Sequence, residues 1–326
     1  MVPTKTSLLF MLFAVFNIAA IAQTQTQNKQ PDSLVFYLDK NEQLATDSAG
    51  IAFVRIIKRD TADQTLFTVE DYYKNGRLKQ VGKSLVASLP LQRSGSFLSF
   101  FPNGRRKSIE NFQDGRIDGD QYYYYPNGKA YCVSTYDYSN QKIIVKESND
   151  STGKVMASNG NGAHILYDEN FKQILEQGPI LDGTRNGEWT GTVYDTIYYK
   201  CTYSHGNSVS GTSRTKSGRV YNFTNDFSNP EFQGGEFAFY KFLAHNIKYP
   251  PVARDNKVQG KVFINFTIDS EGKLSKFAIL RGIGSGCDEE AIRVLSLSPP
   301  WIPGKIYGVP VKVSFTFPIS YSIASE

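Results

Sequence analysis

Two different patterns of hydrophobic and polar positions divide the chain near residue 224. From Leu34 to about Phe223, short runs of aromatic and β-branched residues are separated by Asn-Gly, Asp-Gly and Ser-Gly pairs. These runs are typical of strands, and the dipeptides are typical of hairpin turns of type I′, in which both central residues have positive φ. Residues 34–223 are therefore predicted to form a β-rich region of antiparallel hairpins.

The hairpin region contains a repeated turn sequence. Two aromatic residues, one further residue, Asn-Gly and a base occur at 72–77, 100–105 and 124–129, and an Asp-Gly pattern occurs at 114–119 and 182–187 with a looser copy at 204–211. The unit of about two dozen residues resembles the MORN-type repeat, whose hairpins stack into one long antiparallel sheet, over about residues 66–223. Residues 136–175 depart from this pattern and are a candidate insertion. We interpret the tyrosine runs as packing residues of the sheet.

After a short joint at 224–230, the pattern changes to that of a small α+β domain at 231–322. Phe239, Phe242, Leu243 and Ile247 recur at helical spacing, and the prolines after Tyr249 end this helix. Two alternating runs then predict an antiparallel hairpin, which a second helix and a last strand at 311–317 follow. The predicted fold is thus mainly β, with an antiparallel MORN-like sheet before a two-helix, three-stranded antiparallel domain.

The first residues have the pattern of an export signal. Lys5 precedes an apolar run from Leu8 to about Ala20, and Ala20-Ile21-Ala22 is a cleavage pattern before Gln23. The run is shorter than a membrane-spanning helix requires, and Asn17 interrupts it. We therefore expect residues 1–22 to be a cleaved signal peptide, residues 23–33 to be a disordered lead, and the mature protein to lie in the periplasm. An uncleaved inner-membrane anchor is the alternative.

Composition argues against several classes of function. The net charge of +5 comes with no strong Lys/Arg cluster, so nucleic-acid binding is not expected. The three cysteines, Cys132, Cys201 and Cys287, are expected to be buried apolar side chains, with a Cys132–Cys201 bridge as the alternative. The histidines are far apart in sequence and no nucleophile motif occurs, so we expect no metal, no cofactor and no enzyme activity.

The glycines of the stretch RGIGSGCDEEAI, residues 281–292, invite comparison with a phosphate-binding loop. A dinucleotide loop would have its third glycine at Cys287, and no Gly-Lys-Ser/Thr follows. The helix also begins with Asp288, Glu289 and Glu290, whose charges would repel a phosphate at the positive helix end. The glycines are therefore expected to allow a tight passage from strand to helix.

The last hundred residues resemble the C-terminal domain of TonB, the periplasmic energy transducer of Gram-negative envelopes. The matching segments are PEF with Gly234-Gly235, NIKYP at 246–250, VQGKV at 258–262, LRGIG at 280–284, CDEEA at 287–291, and VPV at 309–311. The structural residues of the motif are Gly260, Gly282, Gly284, Gly286, Trp301, Pro303 and Gly304. Order and spacing hold along the whole domain.

The resemblance implies a partner and a binding mode. TonB domains bind the TonB box, a short extended segment of outer-membrane TonB-dependent receptors, by pairing it with an edge strand. The implied binding residues are those of the last strand, Val311, Lys312, Val313, Ser314, Phe315, Thr316 and Phe317, with Asn246, Lys248, Tyr249 and Pro250 beside them. Energy would come from inner-membrane motor proteins.

Two features of the sequence differ from a transducer of this family. The N-terminal segment is predicted to be cleaved, and a repeat sheet takes the place of a proline-rich rod. We therefore keep two hypotheses, a TonB-family component of energy-coupled transport and a non-transducing scaffold whose sheet binds a protein or cell-wall glycan such as peptidoglycan. An exported hydrolase ranks last.

Overall fold

The computed structural model describes residues 33–323, so the predicted signal peptide and residues 23–32 of the predicted lead lie outside it. The first unit consists of β1 (Ser33–Leu38), β2 (Phe53–Arg59), β3 (Phe67–Tyr73), β4 (Leu78–Ser84), β5 (Arg93–Phe100), β6 (Arg106–Gln113), β7 (Arg116–Ile117), β8 (Gln121–Tyr124), β9 (Ala130–Asp137), β10 (Lys142–Asn149), β11 (Val155–Ser158), β12 (Asn161–Tyr167), β13 (Ile174–Leu181), β14 (Thr184–Arg185), β15 (Gly187–Val193), β16 (Ile197–Ser204), β17 (Asn207–Thr215) and β18 (Val220–Phe223). The second unit consists of β19 (Phe227–Ser228), α1 (Gly235–Asn246), α2 (Pro251–Asp255), β20 (Gly260–Ile268), β21 (Leu274–Arg281), α3 (Cys287–Ser296), β22 (Lys305–Ile306), β23 (Val309–Pro310) and β24 (Val313–Tyr321).

The strands of the first unit form one antiparallel sheet in chain order. Successive strands pair, except that the short β7 and β14 pair with β6 and β13, and the sheet continues past them through the pairs β6–β8 and β13–β15. A large antiparallel sheet before a small α+β domain is the predicted fold class, which is confirmed. The interpretation of residues 136–175 as an insertion is wrong, because β10, β11 and β12 continue the sheet between β9 and β13.

The Asn-Gly turns have a different geometry from the predicted one. In the turn at 101–105, the Gly104 N–H donates to Phe101 O and the Phe101 N–H donates to Arg105 O, both at 2.8 Å. Among the turn residues only Gly104 has positive φ, at 86°. This is a type I turn that ends in a glycine bulge, so the predicted type I′ geometry is wrong at the Asn-Gly turns. Proline at position 102 favours it, because its fixed φ suits the second residue of a type I turn.

The Asp-Gly turns do have the predicted type I′ geometry. Asp114 and Gly115 have φ values of 51° and 81°, and Asp182 and Gly183 have 49° and 74°. His205 and Gly206 repeat the geometry at 48° and 78°. The two turn sequences therefore encode two turn types, and in the strands joined to Asn-Gly the bulge shifts the register near the turn.

The first unit buries a group of aromatic residues against the sheet, whereas others such as Tyr194 and Tyr198 are exposed. Phe171, in the loop after β12, contacts Phe101, Tyr125 and Tyr131 with ring centroids 5.0–6.0 Å apart. A second buried group contains Ile57, Val69 and Phe97. The expectation that most of these rings are packing residues agrees with this arrangement.

The second unit packs its helices on one face of the sheet β21–β20–β24. Val262, Ile264, Phe266 and Ile268 of β20 are fully buried against this layer. Helix α1 ends at Asn246, as the following prolines predict, but Pro251 also begins the additional short helix α2. Proline suits the first turn of a helix, because the N–H that it lacks would have no helical partner there.

The two units meet at the hairpin β22–β23. Tyr307, at its tip, stacks on Tyr199 with ring centroids 3.8 Å apart and an interplanar angle of 9°. The Ser213 hydroxyl donates to Tyr307 O at 2.7 Å, and the Tyr307 N–H donates to Asp226 O at 2.7 Å. The second unit thus extends the aromatic core of the first.

Candidate functional site

The strand β24 lies at an edge of the C-terminal sheet. It pairs with β20 through nine consecutive residue pairs, from Val313–Ile268 to Tyr321–Gly260, with no shift of register. The odd-numbered residues are partly or fully buried on the helix side, whereas Ser314, Thr316 and Ser320 are exposed. The period-two alternation of the sequence thus corresponds to a regular strand with one buried and one exposed face, and the strand order leaves one of its edges unpaired.

Pro318 shows which main-chain groups face the open side. A proline has no N–H to donate, so within a sheet it is found where that nitrogen points away from the neighbouring strand. Because main-chain groups alternate in direction along a strand, the N–H groups of Ser314, Thr316 and Ser320 point the same way as the Pro318 nitrogen. The open edge therefore offers alternating donors and acceptors, with one donor missing at Pro318.

The opposite edge strand is less suited to pairing. The pairing of β21 with β20 shifts register twice, and Lys276 in β21 has a φ of 54°. Lys276 and Arg281 are both exposed along this strand. Bulges and charges are features that protect an edge from further pairing. Of the two edges of this sheet, β24 is the one whose geometry accepts another strand.

Helix α1 provides an apolar border beside β24. The Phe317 ring lies 4.9 Å from Phe239 and 6.3 Å from Tyr240, measured between ring centroids. Tyr240 is 51% exposed, and Phe237, one helical turn before it, is 83% exposed. A phenylalanine this exposed has no role in the core, so Phe237 and Tyr240 form an available apolar surface next to the edge.

The polar face of β24 is held by Asn265 of β20. Its amide Nδ2 donates to Thr316 Oγ1 at 3.0 Å, and the Ser314 hydroxyl donates to Asn265 Oδ1 at 3.1 Å. These bonds fix the side chains of Ser314 and Thr316 on the exposed face of the strand.

The sequence placed the last strand at 311–317, whereas it runs from Val313 to Tyr321. Val311 and Lys312 precede it, and the Val311 N–H donates to Gly304 O at 2.9 Å. Pro318 therefore lies within the strand, just beyond its predicted end at Phe317. The apolar alternation continues through Ile319 and Tyr321, so the strand end could have been recognised.

The structure places residues 246–250 away from Ser314 and Thr316. The Tyr249 ring lies 5.7 Å from Tyr321, at the far end of β24, and its hydroxyl donates to Val258 O. Lys248 donates its N–H to Glu290 Oε1 at 2.6 Å, and Asn246 O accepts from Arg293 at 2.6 Å. Pro250 precedes α2 and contacts α3, because a Cβ at Gly286 would lie 3.2 Å from Pro250 Cβ. Next to Thr316, it is Phe317 that contacts a helix, through Phe239 and Tyr240 of α1.

The glycine stretch binds a carboxylate of its own chain. Asp288 accepts from the N–H of Ile283 at 3.0 Å and from that of Gly284 at 3.3 Å. A Cβ at Gly282 would collide with the Asp288 carboxylate, so glycine leaves room for it. This agrees with the expected tight passage from strand to helix, and the carboxylate lies where an anion would otherwise bind.

Glycines and aromatic residues of the predicted motif position the surrounding loops. Gly286 precedes α3 with a φ of 85°, and Gly260 begins β20 beside Ile283. Trp301 is buried and donates from Nε1 to Ser298 Oγ at 2.9 Å. Gly304 passes so close to Val313 and Pro230 that a Cβ there would be crowded, while Pro303 is half-buried. These residues hold the sheet and helices together.

Glu290 links the start of α3 to the segment before α2. Burial alone would raise its pKa, but hydrogen bonds from Arg293 and from the Lys248 N–H lower the pKa of Glu290 overall. Burial raises the pKa of Cys287, and the neighbouring acidic side chains raise it further. A buried thiol and a paired carboxylate indicate a structural helix end.

The three cysteines lie in the cores. Cys132, Cys201 and Cys287 are buried and free, so the alternative of a Cys132–Cys201 bridge is wrong. Burial raises the pKa of Cys132 to about 12. Between residues 33 and 323, no group of three His, Cys, Asp or Glu side chains could hold a metal ion. In the same range, no helix combines the length and apolarity needed to cross a membrane.

Comparison with known proteins supports the resemblance of the C-terminal unit. Residues 245–323 match the family model described as Gram-negative bacterial TonB protein C-terminal. The match covers about a quarter of the chain, and it indicates that this unit is similar to the C-terminal domain of TonB proteins of Gram-negative bacteria. The family is a binding and transducing domain rather than an enzyme. A search of curated proteins found no match. The comparisons do not show the MORN-type resemblance of the first unit.

Proposed function

We propose that this protein is exported to the periplasm and binds the TonB box of outer-membrane TonB-dependent receptors through β24, in support of energy-coupled transport. The family match supplies the class of partner. The observation that carries the proposal is the open edge of β24, which pairs with β20 over nine uninterrupted residue pairs. An extended segment can add to such an edge by main-chain hydrogen bonds.

The proposed complex has a defined register. Ser314 and Thr316 would each donate one N–H and accept at one carbonyl, whereas Pro318 can only accept. A side chain of the bound strand on the helix side would contact Phe237 and Tyr240, so an apolar residue is favoured there. The main chain would supply affinity, and the α1 border would supply selectivity.

The mature N-terminus distinguishes a docking component from a protein that transmits force itself. Transmission of force by this chain itself would require residues 1–22 to remain as an inner-membrane anchor. Intact mass after expression in a Gram-negative host distinguishes the two. We expect a mass that starts at Gln23, which makes the protein a docking component. A retained segment in the inner-membrane fraction would support direct transduction.

Substitution of Thr316 tests the edge. Thr316→Pro removes the outward N–H, and Thr316→Val removes the same hydroxyl but keeps that N–H. The binding partner is a synthetic peptide with the TonB-box sequence of a TonB-dependent receptor from the same organism. Its affinity for each variant is measured by calorimetry. Because a buried hydrogen bond contributes about 1 kcal/mol and the proline also leaves an acceptor unpaired, we expect at least about tenfold weaker binding for Thr316→Pro. Thr316→Val should change the Kd less than about threefold. Equal affinities of the two variants would overturn the proposal.

A further inference from the structure

Four turns of the same type follow one another along one margin of the first unit's sheet, where the ends of its strands lie. They lie at 73–77, 101–105, 125–129 and 150–154, and each closes with the same pair of main-chain hydrogen bonds. Successive members join every second pair of strands, so at about 4.8 Å per strand they repeat about every 10 Å. We call these turns the turn ladder.

Side chains connect each turn of the turn ladder to the next. Arg77 donates to Pro102 O at 2.9 Å, and Arg105 donates to Asn127 O. The Asn127 amide donates to Ser151 O at 2.8 Å, and Lys129 donates to Thr152 O. A Cβ at Gly153 would lie 3.4 Å from Lys129 Cδ, so the stem of the base lies over the next glycine. Carbonyl acceptors orient these cations without neutralising them.

The turn ladder presents a row of uncompensated positive charge. Arg77, Arg105, Lys129 and Lys154 each follow the turn glycine, and all four are exposed. None of them forms an ion pair with any residue in the range 33–323. Asp150 is the acidic residue within these four turns, and it is engaged by N–H groups of its own turn.

The opposite ends of the same strands are acidic. The loops and strand ends there contain Asp60, Asp63, Asp114, Asp118, Asp120 and Asp137, with Arg116 among them. Acidic residues also occur in the loops at 39–52 and 168–173 on the margin of the turn ladder, where Glu42 pairs with Arg55 and Glu169 with Lys107. The four bases of the turns themselves form no such pair among the described residues, so they can attract an anionic partner.

A cavity opens between the third and fourth turns. It has a volume of about 270 Å3 and is lined by Tyr125, Pro126, Asn127, Ser151, Tyr167 and Phe171. Aromatic walls with an amide and a hydroxyl at the rim suit a ring that carries both apolar faces and hydroxyl groups. Four of its lining residues, Tyr125, Pro126, Asn127 and Ser151, belong to these two turns.

We propose that the turn ladder binds a linear acidic polysaccharide, with its carboxylates on the four bases and one sugar ring at the aromatic cavity. An extended acidic peptide fits less well, because residues about 10 Å apart along a strand are three positions apart and alternate in direction. A flat anionic membrane fits less well, because the bases form a single row. This site lies outside the C-terminal unit and does not depend on receptor binding.

Polygalacturonate tests the proposal with the full chain. The fully methyl-esterified polymer has the same backbone without charge and serves as the ligand control. The test variant is R77Q/R105Q/K129Q/K154Q, which removes the four charges and keeps a polar side chain at each position. The control variant, K257Q/K261Q/K273Q/K276Q, removes four exposed bases of the C-terminal unit that form no ion pair within residues 33–323. Both variants change the net charge equally.

We expect the wild-type protein to bind polygalacturonate in a salt-dependent manner and not to bind the ester. The ladder variant should lose at least about tenfold in affinity, while the control variant changes less than about twofold. An equal loss in both variants would reduce the effect to net charge and overturn the proposal. Tighter binding of poly-glutamate or of vesicles containing phosphatidylglycerol would also overturn it, as would absence of binding by a wild-type protein that still binds the TonB-box peptide.

Discussion

The two units of this protein use the same turn in opposite surroundings. The turn at 269–273 in the C-terminal unit has the main-chain hydrogen bonds of the turn at 101–105 in the sheet. Gly104 faces open space, whereas a Cβ at Gly272 would collide with the main chain of Trp301. Trp301 also donates its N–H to Gly272 O at 2.8 Å. The local sequence defines the turn in both places. The tertiary contacts around the glycine determine how much its substitution lowers the free energy of unfolding.

The largest expected effect comes from substituting alanine for this turn glycine in each unit. Both positions have positive φ, which costs an alanine about 1–2 kcal/mol. Gly104→Ala should therefore destabilise by about 1 kcal/mol, and Gly272→Ala by at least about 3 kcal/mol because of the added collision. Urea unfolding measures both. If the two variants lost similar amounts of unfolding free energy, the contacts around the glycine would not determine the effect of the substitution.

The junction between the units gives the next prediction. Tyr307→Ala removes a buried ring that stacks on Tyr199, so we expect the free energy of unfolding to fall by about 3 kcal/mol. Tyr307→Phe retains the stack and should lose less than about 1.5 kcal/mol. In calorimetry, Tyr307→Ala should also separate the unfolding of the two units. A single unchanged transition in this variant would contradict the assignment of Tyr307 as the link.

A pH-dependent loss of stability is expected in the first unit. Burial, followed by the charge of Arg185, lowers the pKa of His164 to about 4, below the ordinary value of 6.5. The folded state favours the neutral ring, so the stability that this contributes is fully present above pH 6.5. It falls as the pH drops from 6.5 to 4, by about 3 kcal/mol.

The variant His164→Gln serves as the control for this dependence. Glutamine can still bond the Ser148 hydroxyl, which lies 3.0 Å from His164 Nδ1, but it does not titrate. Unfolding free energies measured at intervals from pH 4 to 7 should therefore fall more steeply in the wild-type protein. Parallel curves would refute the role of His164.

The smallest expected effect on stability comes from the α1 border. Phe237 is 83% exposed, so Phe237→Ser should change the unfolding free energy by less than about 0.5 kcal/mol. The same variant should weaken binding of a TonB-box peptide that has an apolar residue on the helix side. Phe239→Ser, by contrast, should destabilise the unit strongly, since Phe239 is 2% exposed. If Phe237→Ser bound the peptide with unchanged affinity, the α1 border would not be part of the binding site.

Much of the fold follows from short-range patterns in the sequence. Period-two alternation and Gly-containing pairs predict hairpins, and the spacing of Phe239 and Leu243 predicts α1. The type of the Asn-Gly turn could not be read from the dipeptide, because the extra residue before it, such as Pro102, permits a three-residue loop with a bulge. Pattern thus gives the elements more readily than their exact turn geometry.

The candidate site was predictable in part. The alternation of the last strand is visible in the sequence, but its position at an edge depends on pairing with β20, about fifty residues earlier. The position of Tyr307 in the aromatic core of the other unit depends on contacts across about a hundred residues. The charge row of the turn ladder also needs the strand order, because its bases are more than twenty residues apart in sequence. Long-range contacts, rather than local propensities, determine these features.

Amide hydrogen exchange by NMR, with and without a TonB-box peptide, tests the central claim most directly. The N–H groups of Ser314 and Thr316 face the open edge and should exchange rapidly in the free protein. We predict that the peptide protects both, and that exchange along β21 stays unchanged. Protection of β21, or of the strands of the first unit, with no change at Ser314 and Thr316 would contradict the account.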